Sequence, residues 1–212
     1  MNFYDEKILP HLIHAACSQR PFMHLREKVV RLARGRVLEV GIGSGINLPL
    51  YNPQNVEFVW GLEPSAGMRT KAQHNVEKSP VRVKWLDLPG EKIPLEDNSV
   101  DTILLTFTLC TIPDWKLALQ QMHRVLKSDG QLLFCEHGRA PDARVQKWQD
   151  RLTPIWKPLA GGCHLNRPIR EYIETTGFVI EEIDNLYIDN APRFVGYISY
   201  GRAVKKSSGA PR

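Results

Sequence analysis

The stretch that decides the fold is RVLEVGIGSGINLP, residues 36–49, in which an apolar run ends in an acid and meets Gly41, Gly43 and Gly45. The apolar run is typical of a buried β-strand, and a glycine-rich turn after such a strand usually holds a nucleotide. Ile46 stands where the dinucleotide-binding pattern G-x-G-x-x-G has its third glycine. The spacing therefore argues against a nicotinamide dinucleotide and raises the question of which ligand the turn holds.

Two acids near this turn narrow the choice of ligand. Glu39 comes two residues before the first glycine, and Glu63 ends the next predicted strand. A negative charge at Glu39 is unfavourable beside a pyrophosphate, but it is favourable beside a ligand with an ammonium group and a sulfonium. In an open α/β sheet, Glu63 would lie in the crevice beyond the strand ends, where a carboxylate accepts from both ribose hydroxyls. The alternative for Glu63 is a solvated acid at a strand end.

Strand and helix patterns alternate along the chain and predict an α/β fold. We expect a doubly wound, Rossmann-like, seven-stranded sheet, mostly parallel with an antiparallel C-terminal strand, and an N-terminal helical cover. Helices are predicted directly after the glycines, over 65–78 with Ser65 as N-cap, and over 114–127 with Asp114 as N-cap. The predicted strands are 36–41, 56–63, 81–87, 100–108, 131–137, 178–188 and 193–204.

The length of 212 residues and the absence of repeats predict one domain, residues 1–204. Within it, residues 1–33 are amphipathic and are expected to form a helical cover and a lid over the ligand crevice. Residues 141–175 are expected to form a helical insertion near the acceptor pocket. Residues 205–212 are expected to form a disordered basic tail.

Composition excludes several classes of protein. Four of the five excess positive charges lie in the last eleven residues, so the sequence shows no basic stripe and we expect no nucleic-acid partner. No apolar run approaches the roughly 20 residues of a membrane helix, so we expect no stable membrane insertion. The four cysteines form no CxxC pair, which favours reduced thiols in a cytoplasmic protein. We expect a monomer or a homodimer.

Four stretches carry a resemblance to a known family: LEVGIGSG (38–45), GLEPSAGM (61–68), LPGEKIPLEDNSVDTILLTFTLCTI (88–112) and MHRVLKSDGQLLFCEHG (122–138). They resemble, in order, the motifs of class I S-adenosylmethionine-dependent methyltransferases of the methyltransferase type 11 group, which includes quinone-biosynthesis enzymes. LTPIWKPLAGGCHLNRPIREYIETTGF (152–178) is similar to a region of the mammalian membrane-associated thiol S-methyltransferases. We expect this chain to lack their N-terminal hydrophobic anchor.

The resemblance implies S-adenosyl-L-methionine as cofactor and assigns residues to it. Acidic and glycine-loop residues would line its methionine end, Glu63 would take the ribose, four residues would flank the adenine, and two would face the sulfonium. The implied cofactor residues are Glu39, Gly41, Gly43, Gly45, Asn47, Glu63, Pro64, Met68, Gly90, Glu91, Thr106 and Leu109.

The acceptor is expected to be a small molecule, and the resemblance favours S-methylation of a thiol. A thiol must lose its proton to become a nucleophile, and His137 and His164 are the candidate bases. Residues expected at the substrate pocket are Tyr4, Cys110, Trp156, Cys163 and Arg167.

Other functions stay open at this stage. We expect no metal, although Cys135, His137, Cys163 and His164 include residue types that bind zinc. A quinone or quinol C-methyltransferase and a phospholipid N-methyltransferase are the alternatives within the family. A nicotinamide-dependent oxidoreductase is the alternative outside it, and the glycine spacing argues against that class.

Overall fold

A computed structural model describes residues 4–206, apart from the side chains of residues 5 and 6. It contains a seven-stranded sheet with the order β3-β2-β1-β4-β5-β7-β6, in which β7 alone runs opposite to the other six strands. The predicted fold class is therefore confirmed. The strands are β1 Gly35–Val40, β2 Val56–Leu62, β3 Arg82–Leu86, β4 Val100–Thr106, β5 Leu126–His137, β6 Phe178–Tyr187 and β7 Tyr197–Lys205.

Helices cover both faces of the sheet. One core layer joins the sheet to α4 and α6, and the other joins it to α2. The central strands are apolar over most of their length because parallel strands are buried on both faces. The helices are α1 Leu9–Cys17, α2 Arg20–Val30, α3 Ala66–Glu77, α4 Trp115–Val125, α5 Ala143–Leu159, α6 Ile169–Thr175 and α7 Arg193–Gly196, with a π-helical turn at Tyr4–Ile8.

The two predicted helix N-caps are present. The Ser65 hydroxyl accepts from the backbone N–H of Met68 at 3.3 Å, and the Asp114 carboxylate accepts from that of Leu117 at 3.0 Å. Each cap satisfies a backbone donor that the first helical turn leaves unpaired. Both helices therefore begin where the sequence indicates.

Three local expectations were wrong. The chain after the glycines forms only a 3₁₀ turn, Leu48–Leu50, which ends at the extended residue Tyr51, two residues before Pro53. Strand β5 begins at Leu126, before the SDG turn, and a bulge absorbs the added residues. Residues 193–196 form the helical turn α7 rather than the start of β7.

The N-terminal helices and the 141–175 region flank the strand ends. Helix α2 packs into the core through Leu25, Val29 and Val30, whereas α1 buries only Leu9 and Pro10. Helix α6 packs on the edge strand β6. Residues 207–212, most of the expected tail, lie outside the described residues. Across residues 4–206, no helix has the length and apolar character needed to cross a bilayer.

Candidate active site

A cavity of about 430 Å³ opens beyond the carboxyl ends of β1, β2 and β4. Strand β1 lies between β2 and β4, so this is where the strand order reverses, the usual ligand site of open α/β sheets. Eight of the twelve predicted cofactor residues line it: Gly41, Gly43, Glu63, Pro64, Met68, Gly90, Glu91 and Thr106. The positions of these eight residues are therefore compatible with the predicted cofactor contacts.

The glycine turn is held against the end of β2. The Gly41 N–H donates to the Leu62 carbonyl at 2.8 Å, and the Gly43 N–H donates to Glu63 Oε2 at 3.1 Å. Gly41 has φ +71°, and a Cβ there would collide with the Thr108 side chain. Only glycine fits this position, where the backbone approaches both the neighbouring loop and the cavity.

The Glu63 carboxylate faces the cavity and is already anchored. Its Oε1 accepts from the Ser65 N–H at 2.9 Å, and its Oε2 accepts from Gly43. Burial raises the pKa of Glu63, and the two backbone donors oppose this rise. Each oxygen keeps a further lone pair, so the group has the acceptors that the two hydroxyls of a ribose require.

Glu91 is an acceptor without a full set of donors. Its Oε1 accepts from the Asp114 N–H at 3.1 Å, while its Oε2 is buried and has no partner within the described part of the chain. Buried polar atoms are normally paired. Because this oxygen is shielded from solvent, it does not face the open cavity, and the contact of Glu91 with adenine stays a prediction.

Below the glycine turn lies a buried polar network. Asn47 Nδ2 donates to Glu39 Oε1 at 2.7 Å and to Thr106 Oγ1 at 2.9 Å, and the Tyr51 hydroxyl donates to Glu39 Oε2 at 2.7 Å. Burial raises the pKa of Glu39 to about 7, against the opposing effect of these donors. Three members of this network were predicted from the sequence to contact the cofactor. Thr106 lines the cavity, whereas Glu39 and Asn47 lie behind it.

The remaining two predicted cofactor residues also lie behind the cavity wall. Leu109 is fully buried in the core. Gly45 does not line the cavity, and a Cβ there would meet the side chain of Leu48 at 3.0 Å. Their assignment to the cofactor stays a prediction.

Sequence reasoning missed Arg26, which lines the cavity and belongs to the polar network. Its Nη1 donates to Thr106 Oγ1 at 2.6 Å and to Asn47 Oδ1 at 3.1 Å, and its guanidinium lies 4.8 Å from the centre of the Phe107 ring. The residue is only 4% exposed. The available signal was an arginine on the apolar face of an amphipathic helix, four residues after Phe22.

Helix α1 closes the cavity from above and supplies a second missed residue, His14. Its Nδ1 lies 2.8 Å from Ser44 Oγ, on the glycine turn. Burial lowers the pKa of His14, and the nearby Lys71 and His11 lower it further. His14 is therefore neutral at pH 7. It is also the only histidine within residues 4–206 that lines the cavity.

The glycine pair after α5 packs under this helix. Gly161 has φ +60°, and a Cβ added there would lie 3.0 Å from Leu9 Cδ2. The cavity wall is continuous from α1 to Gly161 and Gly162. Tyr4, predicted at the substrate pocket, donates its hydroxyl to the Leu159 carbonyl at 2.7 Å and does not line the cavity.

Three residues from the predicted catalytic and substrate sets form one buried cluster. Sulphur or nitrogen atoms of Cys110, His137 and Cys163 lie within 4.8 Å of one another, and His137 Nε2 is 3.1 Å from Cys163 Sγ. A hydrogen bond from Cys110 and the adjacent His137 lower the pKa of Cys163 to about 4, against burial. Burial would lower the pKa of His137, but the Cys163 thiolate raises it. None of the three lines the cavity.

The other predicted residues surround this cluster. Arg167 is buried, and its Nη1 donates to the Leu109 and Ile112 carbonyls. The ring of His164 has its Nδ1 3.2 Å from the Cys110 carbonyl, and Trp156 Nε1 is buried and has no hydrogen-bond partner among residues 4–206. His137 and His164 are thus close in space but do not reach the cavity, so their role as bases stays a prediction.

Comparison with known proteins places the chain in a family. Residues 38–134 match the family model described as a methyltransferase domain. The chain is 32% identical to thiol S-methyltransferase TMT1B from Rattus norvegicus, over 67% of this chain and 59% of that protein. It is 27% identical to thiol S-methyltransferase TMT1A from Homo sapiens, over 90% of this chain and 79% of that protein. It thus spans about three fifths of the rat relative's length.

Further relatives are other methyltransferases, and a solved structure of low sequence identity shares the fold. A phosphatidylethanolamine N-methyltransferase from Cereibacter sphaeroides is 31% identical over 53% of this chain and 57% of that protein, and a quinone-biosynthesis C-methyltransferase, UbiE, from Geotalea uraniireducens is 30% identical over 55% and 52%. The crystal structure of a SAM-dependent methyltransferase from Methanosarcina mazei superposes with a TM-score of 0.63 at 16% identity, covering 81% and 92% of the two chains.

The motif order, the sheet and the strand-end cavity agree with these matches. The Glu63 carboxylate and the glycine turn that line the cavity are compatible with the methyl donor of that family, and their contacts with it stay predictions. The chain belongs to the class I S-adenosylmethionine-dependent methyltransferases, whose methyl donor is S-adenosyl-L-methionine.

Proposed function

We propose that this protein transfers the methyl group of S-adenosylmethionine to the sulphur of a small, fairly apolar thiol. The observation that carries the proposal is His14, a neutral histidine on the cavity wall among the apolar side chains of Leu9 and Ile13. The two thiol S-methyltransferases among the relatives support the same acceptor class.

In such a transfer the protein mainly has to align the two reactants and remove the proton of the thiol. The thiolate displaces the sulfonium in line, the carbon–sulphur bond of the donor breaks, and a methyl sulfide and S-adenosylhomocysteine form. Alignment of the two reactants can supply about 7–11 kcal/mol of the barrier. The proton of the thiol must leave first, because the thiolate is the nucleophile.

His14 is placed to take that proton. In the tautomer that donates Nδ1–H to Ser44 Oγ, Nε2 carries the lone pair that can accept a proton. Because the pKa of His14 lies below its usual value, the imidazole is in its basic form across neutral pH. His14 replaces His137 and His164 as the proposed base, since neither of those lines the cavity.

Methyl transfer to a panel of acceptors with labelled cofactor tests the acceptor class. We expect methyl sulfides from alkyl and aryl thiols, and little product from a prenylated quinol or from phosphatidylethanolamine. Methylation of the quinol or the phospholipid, with no methyl sulfide, would instead support the C- or N-methyltransferase alternatives that other relatives suggest.

The role of His14 has its own test. Replacing His14 by Gln should lower the rate with an alkyl thiol by about 10²–10⁴-fold, the usual contribution of a general base. An aryl thiol of lower pKa should lose much less, because its thiolate forms without help. His24→Gln, at an exposed histidine of the neighbouring helix α2, is the control. An equal loss with both thiols would remove His14 as the base.

We also propose a cytoplasmic location, from the four cysteines. Cys17, Cys110, Cys135 and Cys163 are all free thiols, which suits a reducing compartment. Fractionation of cells expressing the tagged chain would test this, and recovery in a membrane or secreted fraction would contradict it.

A further inference from the structure

The buried cluster of Cys110, His137 and Cys163 has the ligand set of a metal site. It joins three separate parts of the chain: the loop after β4, the end of β5 and the turn after α5. We propose that these three side chains bind one Zn²⁺ ion at the back of the cavity wall. Two thiolates and one imidazole are ligands that zinc prefers, and Cys₂His is the protein ligand set of some catalytic zinc sites.

The geometry needs little adjustment to accept the ion. Typical Zn–S and Zn–N bonds in a tetrahedral site place the sulphur and nitrogen atoms about 3.6 Å apart. The observed separation of His137 Nε2 and Cys163 Sγ is 3.1 Å, and no two of the three ligand atoms are more than 4.8 Å apart. His137 Nε2 and Cys163 Sγ would move about 0.5 Å apart, and a pair at the 4.8 Å limit would close by about 1 Å, both within the reach of side-chain rotation.

The charge of the loaded site suits its burial. The three side chains are 2–8% exposed, and an isolated charge at such a place would be costly. Zn²⁺ with two thiolates and a neutral imidazole has no net charge. Binding would release the protons of the ligands and replace the contact between Cys163 and His137 with three metal–ligand bonds.

The loop that carries Cys110 is fixed from two sides before any metal binds. Arg167 donates to the carbonyl of Leu109, and both oxygens of the Glu136 carboxylate accept from the Thr108 N–H, at 2.8 and 3.1 Å. These buried contacts hold the loop in place, so a ligand cluster there loses little conformational freedom on binding.

The site also has an open position. The described residues supply three ligands within reach of one another and no fourth, and an open position is the mark of zinc sites that bind water or substrate. Thr111 and Gly162, the chain neighbours of Cys110 and Cys163, line the cavity. The metal would therefore lie directly behind the part of the cavity wall that Thr111 and Gly162 form, next to the space for an acceptor.

Metal binding by the purified, tag-free chain tests the inference independently of methyl transfer. We expect one Zn²⁺ per chain, retained against a chelating dye, and Co²⁺ in its place should give the intense absorption of a thiolate-bound tetrahedral ion. Cys110→Ala and Cys163→Ala should each lower the affinity at least tenfold. Cys135→Ala, a buried cysteine of β5 outside the cluster, should keep it.

Two results would overturn the inference. In the first, the wild-type chain binds no Zn²⁺ and gives no thiolate–cobalt band, so the cluster is only a hydrogen-bonded thiol–imidazole pair. Equal affinity in the wild type and in folded Cys110→Ala and Cys163→Ala variants would place the metal elsewhere. Should either variant fail to fold, as judged by circular dichroism, the cobalt spectrum of the wild type still decides.

Discussion

Replacing Glu63 by Ala tests how the protein holds its cofactor. The carboxylate is only 8% exposed, and each oxygen accepts one backbone N–H and keeps a lone pair toward the cavity. A hydrogen bond to a charged acceptor contributes about 1.5–3 kcal/mol. Loss of two such bonds to a ribose should cost about 3–6 kcal/mol, or at least a hundredfold in affinity.

Calorimetry with S-adenosylhomocysteine is the assay, with Glu57→Ala as control because Glu57 is an exposed acid of the same strand. The variant also frees the N–H groups of Gly43 and Ser65, which could loosen the glycine turn. A 2′,3′-dideoxy form of the ligand separates the two effects. Wild type should discriminate strongly against it, and Glu63→Ala should not.

Unchanged affinity in Glu63→Ala would refute the placement of the ribose at this carboxylate. Lower affinity with undiminished discrimination between the two ligands would also refute it. In that case the loss would come from the turn, and Glu63 would be a positioning residue only.

The remaining predictions concern the lid and the buried network. Arg26→Met should lower the free energy of unfolding by about 1–3 kcal/mol by leaving buried acceptors unpaired, and Arg31→Met, at an exposed position, should not; urea denaturation measures both. Because the pKa of Glu39 is raised to about 7 on folding, the folded state binds the extra proton, and stability should fall by about 3 kcal/mol as pH rises from about 4.5 to 7. Burial also raises the pKa of Glu136 to about 7, so Glu39→Gln should remove only the part of the slope that Glu39 contributes, and an unchanged slope would refute the assignment. Deleting residues 1–18 should reduce turnover more than cofactor affinity, and an enzyme of wild-type rate would show that α1 is no lid. Gly161→Ala should impair turnover by pushing α1 outward, as its Cβ would lie 3.0 Å from the lid.

The sequence predicted the elements whose signals are local. Apolar runs identified the central strands, and Ser65 and Asp114 marked helix starts because an N-cap acts on the next three residues. The cavity followed from the fold, since parallel strands bring their carboxyl ends to one edge. Glu63, at the end of β2, could therefore be placed near the glycine turn without a structure.

Contacts between distant segments were not predictable in the same way. Arg26 donates to Thr106, eighty residues away in the sequence, and His14 meets Ser44 across two elements. A polar residue on an amphipathic helix carries no local sign of its partner. His137 shows the converse. Its position at a strand end predicted a side chain that faces the cavity, but the side chain instead pairs with Cys163.

The two N-terminal helices both cover the site, but they differ in how firmly they are packed. Helix α2 is fixed, because its apolar residues belong to the core and Arg26 is bound into the network beneath the glycine turn. Helix α1 has few buried residues and is held by a hydrogen bond at His14 and by packing on Gly161. Opening α1 would therefore break few contacts and expose the cavity, whereas moving α2 would disrupt the core. Because His14 is on the helix with fewer buried contacts, closure of that helix over an acceptor would bring the proposed base to the thiol at the same time as it excludes water.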